Sequence, residues 1–306
     1  MKIKDILGVN PLNKKHRSTR QKPRHRGRDL VGESGSAPGV GPIHIDEIKP
    51  TLDPLSKALG VDLYKQALGS VGKKQFSGDI DVAINIPPEK LEEFGEKLKN
   101  HPLISYYSKT SVFITKIKIQ NYDPKREMID PRTGKSRGIP EGRTGFVQVD
   151  FMPGDPGWMK TYYHSPHEKD SKYKGVYRNI MIASIAGRLN VVASDEKTED
   201  GRPLKMERWM WSPTDGLIRV VRTPEPNKKG DGYTKKNNNQ IIDGPYKDPN
   251  QIAKKLGLNN ADDLYSFETL WSAINKNYDK AAVKAIADDF ANNGVVKDIG
   301  VPDEIS

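Results

Sequence analysis

The sequence predicts an α+β protein: a mixed-sheet core, a β-hairpin extension and a small C-terminal helical domain. Three observations carry that reading. Apolar residues alternate or run together at Ile80 to Ile86 and at Phe146 to Met152, as strands with buried faces require. Residues Leu91, Phe94 and Leu98, and later the stretch Val176 to Leu189, fall at helical spacing. The C-terminal part is punctuated by helix starts and stops rather than by strand signals.

In chain order, the run from Lys14 to Arg28 (KKHRSTRQKPRHRGR) has no apolar periodicity and reads as a disordered arm. Glu33 to Pro42 is a Gly/Pro/Ser linker. Folded sequence is expected from Ile43, with a short helix over Thr51 to Leu59 ended by Gly60. Tyr64 to Leu68 is expected as a strand leading into Gly69-Ser70, and Ile80 to Ile86 as a second strand. Pro87 and Pro88 stop that strand and pre-set a helix start. Ser105 to Gln120, rich in Tyr, Thr, Val and Ile, suggests a strand or a pair, and Asn121 to Gly145 is a polar insertion.

Phe146 to Met152 is the third clear strand, and Val176 to Leu189 is apolar on nearly every face, as a buried helix is. Val191 to Thr223 reads as a hairpin turning at Glu199-Asp200-Gly201, and Pro226 to Gln240 as a polar linker. Asp248-Pro249 caps one helix and Gly257 stops it. Asn260 caps another, with Leu264, Phe267, Trp271, Ile274 and Tyr278 on one stripe. A last helix runs from about Lys280 to Asn292 and stops at Gly294. The expected organisation is therefore an arm and linker (1–42), a core (43–190), a hairpin extension (191–225), a linker (226–240) and a helical domain (241–306).

Composition narrows the class. The chain of 306 residues is 35% hydrophobic and 29% charged, and no window reaches the roughly eighteen apolar residues of a membrane span. No apolar signal-peptide core is visible at the N-terminus. There is no cysteine, which excludes disulfides and thiolate metal sites and makes the cytoplasm the expected compartment. The net charge is +10, but residues 1–30 hold ten Lys/Arg and two Asp. That arm could bind nucleic acid through its phosphates or be a solvated tail; the rest of the chain is nearly neutral.

The stretch LGSVGKKQFSGDIDVAI, Leu68 to Ile84, concentrates the chemistry. Residues two apart share a strand face, so Asp79 and Asp81 point one way and Ile80, Val82 and Ile84 the other. Two carboxylates this close repel unless a cation or proton lies between them, and a hard divalent ion is one natural occupant; a solvated strand edge is the other reading. In Phe146 to Phe151, Val147, Val149 and Phe151 share a face and leave Asp150 opposite, beside Gln148. Gly69-Ser70 permits close backbone approach to a phosphate, and Lys73 and Lys74 could neutralise its charge or remain solvated.

This order of features, Leu68-Gly69-Ser70, then Asp79-Ile80-Asp81-Val82, then Asp150, resembles the nucleotidyltransferase superfamily typified by DNA polymerase beta. The resemblance covers roughly residues 45–190. It implies a polymerase beta-like fold and two Mg²⁺ ions bound by Asp79, Asp81 and Asp150. It also implies an NTP whose phosphates rest on Gly69 and Ser70, and transfer of a nucleoside monophosphate to an acceptor hydroxyl. The spacer Val71 to Gly78 is slightly shorter than that family's usual one. The stretch after Asp150 is similar to phage-encoded nucleotidyltransferase-like proteins, through Tyr162-Tyr163-His164-Ser165-Pro166 and Ser171 to Gly175.

Lys172, Lys174 and Arg178 are further candidates for holding phosphates, against a solvated helix start. Tyr173 or Tyr177 could stack on a base or simply pack, and His164 with His167 could be a ligand pair, although the resembled family binds its metals through carboxylates. Trp209 and Trp211 read as core or interface. The acceptor stays open: a nucleic-acid 3′ end, slightly favoured by the arm, a protein hydroxyl or a small molecule. The alternative from another class is a catalytically inactive relative that binds nucleic acid or serves virion assembly. Oligomeric state is not legible.

Overall fold

The computed structural model describes residues 37–305. The basic arm and most of the linker expected over 1–42 lie outside the described residues. Two four-stranded sheets dominate, each with its own helices, so the chain is α+β as expected. Among the described residues no helix is long and apolar enough to cross a membrane.

The first unit opens with β1 (Ile43–His44) and α1 (Ile45–Leu59). His44 and Glu47 form a capping box at the start of α1, and Gly60, at φ 70°, ends it. This helix begins earlier than the expected Thr51. Pro50 and Pro54 lie inside it and read locally as breakers, but burial of Ile48, Leu52 and Leu55 holds the helix through them. A two-residue strand, β2 (Phe76–Ser77), pairs with β1.

The first sheet has the order β3-β6-β5-β4, from β3 (Ile80–Ile84), β4 (Ile104–Lys109), β5 (Phe113–Lys118) and β6 (Phe146–Pro153). β3 runs parallel to β6, while β5 runs antiparallel to both of its neighbours, β6 and β4. After β3, a 3-10 turn at Pro88–Lys90 leads into α2 (Leu91–Lys99), as the two prolines predict. Tyr64 to Leu68, expected as a strand, makes only a single bridge, Ala67 to Val82.

The second unit begins with α3 (Pro156–Tyr162) and the buried α4 (Gly175–Arg188). Its sheet has the order β10-β9-β8-β7, from β7 (Val192–Ala193), β8 (Met206–Ser212), β9 (Gly216–Pro226) and β10 (Tyr233–Tyr246). Two expectations are corrected here. The main hairpin turns at Pro213-Thr214-Asp215 rather than at Gly201, because Gly201 closes only a small side loop in which Thr198 N–H bonds the Arg202 carbonyl at 2.8 Å. The expected linker 226–240 contains the first half of β10. Its polarity hid it: an edge strand pairs through its backbone and needs no apolar side chains to do so.

Four more helices follow: α5 (Pro249–Lys255), α6 (Phe267–Asn277), α7 (Lys280–Ala291) and α8 (Gly294–Ile299). The helix expected from Asn260 is split, since Asn260 caps a 3-10 turn and Ser266 starts α6 afresh. Gly294, expected as a stop, begins α8. Trp209 and Trp211 are core, as expected. They pack in one cluster with Tyr162, Ile182, Phe267 and Phe290, so the C-terminal helices close over α4 and the second sheet. The other main cluster joins α1 to the first sheet.

A buried ion pair ties the polar insertion to α1. Arg143 donates to both Glu47 oxygens at 2.9 and 3.1 Å, and both side chains are almost fully buried. Asp123 N–H and His44 N–H complete the Glu47 shell, and the guanidinium also reaches the Asp123 and Pro42 carbonyls. Burial opposes the charge on Glu47, yet the Arg143 hydrogen bonds hold its carboxyl below the usual range. Removing one partner strands a buried charge. Arg143→Met should therefore lower urea-unfolding stability by about 3–5 kcal/mol, and adding Glu47→Leu should recover most of that loss.

Candidate functional site

The parallel register of β3 and β6 places Asp81 directly beside Asp150, with neighbouring strands about 4.8 Å apart. Ile80, Val82, Val149 and Phe151 all enter the core shared with α1. The alternate residues, Asp81 and Asp150, therefore share the opposite face. Further along that face Ala83 and Met152 pack on Leu68 and Met159. Asp79 lies just before β3 and completes a group of three carboxylates.

The Gly-Ser turn is tied to the same place by the backbone. Gln66 to Leu68 lies antiparallel to β3: Ala83 N–H donates to the Gln66 carbonyl at 3.0 Å, and Leu68 N–H to the Asp81 carbonyl at 2.8 Å. Gly69 then turns the chain at φ 64°, a conformation a Cβ would strain, with open space where that Cβ would be. The Ser70 carbonyl accepts Lys73 N–H and Lys74 N–H at 3.0 and 3.3 Å. The short spacer Val71 to Gly78 is thus a hydrogen-bonded turn followed by β2.

Electrostatics single out the cluster. Burial, then the charges of Asp79 and Asp150, push the Asp81 carboxyl well above its ordinary range. Burial raises Asp79 as well, with Lys174 opposing. Asp150 is pushed up to about 7 by burial and then by Asp79, against the hydrogen bond from Gln148. Asp81 Oδ1 is buried and has no hydrogen-bond partner among the described residues. A buried carboxylate oxygen without a donor, facing two more carboxylates, is the environment that a proton or a cation relieves.

These all-oxygen donors fit a hard divalent ion in kind. The ligand shell is not gathered, however: among the described residues no three His, Asp or Glu side chains are grouped so as to hold a metal. The physical reason is visible at Asp150. Gln148 Nε2 donates to both of its oxygens at 2.9 and 3.0 Å, and Gln148 Oε1 is itself held by Ala37 N–H at 2.9 Å. Gln148 and Asp150 share a strand face, which the sequence shows. That Gln148 caps Asp150 and is anchored by the incoming chain was not legible.

The expected cations separate into three kinds. Lys174 is exposed, has no ion pair among the described residues, and its charge reaches Asp79 and Lys74. Lys74 is lowered by burial and by Lys174, and among the described residues its ammonium has no hydrogen bond or ion pair. Lys73 instead donates to the Ser165 carbonyl at 2.9 Å, tying the turn to the loop before α4. Lys172 is paired with Glu304 at 3.0 Å. Arg178 is not a phosphate ligand as it stands. It is buried, donates to the carbonyls of Thr161, Tyr162 and Leu264, and is lowered to about 10 by burial.

The aromatic candidates are likewise in use. Tyr173 bonds Glu304, and Tyr177 bonds the Ile299 and Gly300 carbonyls. His164 packs on Tyr265, and burial lowers its pKa to about 4. Tyr163, beyond the end of α3, was not singled out alone in the sequence. Its hydroxyl is held neutral by burial and by the charge of Asp81, which brings it to the cluster through tertiary packing.

No family model matches this chain, no curated protein matches it, and no solved structure matches it.

Because their folded-state pKa values are raised, Asp81 and Asp150 favour the folded protein in their protonated forms. Stability should be full below the ordinary carboxylate range and fall as pH rises through about 7. In chelator, thermal unfolding should show that fall, and Asp81→Asn should raise stability at about pH 8 by on the order of 1–3 kcal/mol.

Proposed function

We propose that the chain is a Mg²⁺-dependent nucleotidyltransferase of polymerase beta-like fold that moves a nucleoside monophosphate from an NTP to an acceptor hydroxyl. One observation carries the reading: Asp81 and Asp150 are register partners on one sheet face, Asp79 acts on Asp81 from just before the strand, and Leu68, which leads into the Gly69-Ser70 turn, is hydrogen-bonded to Asp81's own backbone. Carboxylates packed this closely belong next to something positive, and a glycine turn at their edge belongs next to something with phosphates.

Asp79 and Asp81, with Asp150, would hold the ions, which when bound supply charge neutralisation at the phosphates. The protein's own groups do the rest. Backbone N–H groups of the Gly69-Ser70 turn hold the outer phosphates. Lys74 and Lys174, whose ammonium groups have neither hydrogen bond nor ion pair among the described residues, add positive charge. Asp150 would take the proton of the acceptor hydroxyl. The acceptor oxygen forms a bond to the α-phosphorus, the bond from that phosphorus to the bridging oxygen breaks, and pyrophosphate leaves.

A second reading has its own observation. Gln148 occupies both Asp150 oxygens, as would suit a relative that kept the fold and lost the chemistry. The two readings part in a labelling assay with each α-labelled NTP, Mg²⁺ or Mn²⁺ and an extract containing RNA and protein. Under the transferase reading, label appears with the unaltered chain, and Asp79→Asn or Asp81→Asn reduces it by about 10³-fold. Ser70→Ala should raise KM for the NTP by about tenfold with kcat less affected. No label and no divalent-dependent NTP binding would establish the inactive relative.

A further inference from the structure

The second sheet carries a group of charges that the carboxylate cluster does not use. Its register pairs Arg208 of β8 with Val220 of β9, and Val220 with Ile241 of β10. The next row on the same face is Met206, Arg222 and Asn239. Arg208 and Arg222 are therefore diagonal neighbours, within reach of long side chains, and Asn239 stands beside Arg222. The face is open towards the β10 edge, where Ile241 is 48% exposed.

These cations lack counter-charges. Arg208 is partly buried, and its Nε is shut off from solvent with no hydrogen-bond partner among the described residues. Nor does the rest of its guanidinium form a hydrogen bond or ion pair among them. Arg222, also partly buried, donates from Nε to Asn239 Oδ1 at 3.1 Å and lies 3.8 Å from the Met210 sulfur. Burial, then the charge of Arg222, holds Arg208 below its ordinary pKa, with Asp289 opposing and Arg188 adding.

Asp289 is thus the acid that reaches Arg208, and Arg188 already holds it, from Nη2 at 2.6 Å and Nε at 3.1 Å. Glu207, adjacent in sequence, alternates to the other face and meets Lys205 and Arg219. Three guanidinium groups against one carboxylate leave two positive charges unmatched. A half-buried arginine without a partner is costly, and an apolar side chain would pack there at less cost. What an arginine adds is a rigid fork of donors suited to an oxyanion.

We propose that Arg208, Arg222 and Asn239 form a phosphate-binding site on this face of the second sheet. Donors arrive from three adjacent strands, which suits a group with several oxygens: the two guanidinium groups and the Asn239 NH₂, whose oxygen is turned to Arg222. Two unmatched positive charges also suit a phosphate, which carries nearly two negative charges near neutral pH. The site belongs to the other sheet from Asp81 and Asp150 and does not rest on the transferase reading.

The test titrates the full chain with inorganic phosphate, a simple phosphate monoester and succinate, at constant ionic strength, by calorimetry. A second arm follows the Nε–H signals of arginines in an ¹⁵N-labelled sample, assigned with Arg208→Met and Arg222→Met. Phosphate should shift the Arg208 and Arg222 signals and leave that of the internal Arg178 in place. Arg208→Met should bind phosphate at least about tenfold more weakly, and in chloride alone should melt no lower than the unaltered chain, since it removes an unmatched buried charge. Should that variant fail to fold, Asn239→Ala, at an exposed position, should still weaken phosphate binding. Preference for the monoester over free phosphate would identify a phosphorylated molecule as the ligand, and the reverse would identify the free ion; both support the site. No phosphate binding by the unaltered chain, equal binding by the variants, unmoved Arg208 and Arg222 signals, or succinate bound as tightly as phosphate would each overturn it.

Discussion

Parallel pairing of β3 with β6 in a single register is the constraint on which the candidate site depends. Ile80, Val82, Val149 and Phe151 are all buried in the core beneath that sheet, and that burial pins both strands. Side chains alternate with period two, so slipping either strand by one residue would put a carboxylate into the core and an apolar side chain at the site. The hydrophobic pattern thus fixes the carboxylates without touching them. Leu68 extends the same logic: its side chain packs with Ala83 and Met152, and its N–H bonds the Asp81 carbonyl, so the glycine turn is registered to the strand that carries the charge.

Once Asp81 and Asp150 share a buried face with Asp79 just before the strand, their repulsion has to be met. The protein meets it partly with Gln148 at Asp150 and with the field of Lys174 at Asp79. Among the described residues it leaves Asp81 Oδ1 without a donor. An unsatisfied buried oxygen is expensive in a merely structural site, where a serine or asparagine would be better. Tension of this kind, held by a rigid sheet, is characteristic of sites that wait for a ligand.

The second unit reaches the first through Met159 of α3, packed on Ala83 and Met152, and through the loop before α4. Ser165 accepts Lys73 from the turn, and Arg178 gathers the carbonyls of Thr161, Tyr162 and Leu264 around α4. The C-terminal helices pack over α4 through Phe267, Ile274 and Phe290, and Glu304 pairs with Lys172. The loop that carries Lys169 and Lys174 is therefore braced from behind by residues far along the chain. The polar insertion is braced separately, through Arg143 on Glu47.

By itself the sequence determined what is local. Period-two alternation assigned Asp79, Asp81 and Asp150 to non-core faces. Pro87-Pro88, Asp248-Pro249 and Gly60 marked helix boundaries, because capping and proline geometry act within a turn or two. It misled where tertiary burial overrode local preference, as in α1 through Pro50 and Pro54, and where backbone pairing needed no apolar signal, as in β10. Only the tertiary structure decided which lysines are free. Lys73, Lys74, Lys172 and Lys174 look alike in sequence, yet Ser165 and Glu304 claim two of them. The structure also decided that Gln148 would cap Asp150, that Tyr163 would reach Asp81, and that Arg178 would be an internal clamp. Gln148 is only two residues from Asp150, but Ala37, 111 residues away, fixes it there; the other partners lie at least 16 residues apart, and side-chain pairing at that range is set by how the sheets and helices pack, which no local pattern encodes.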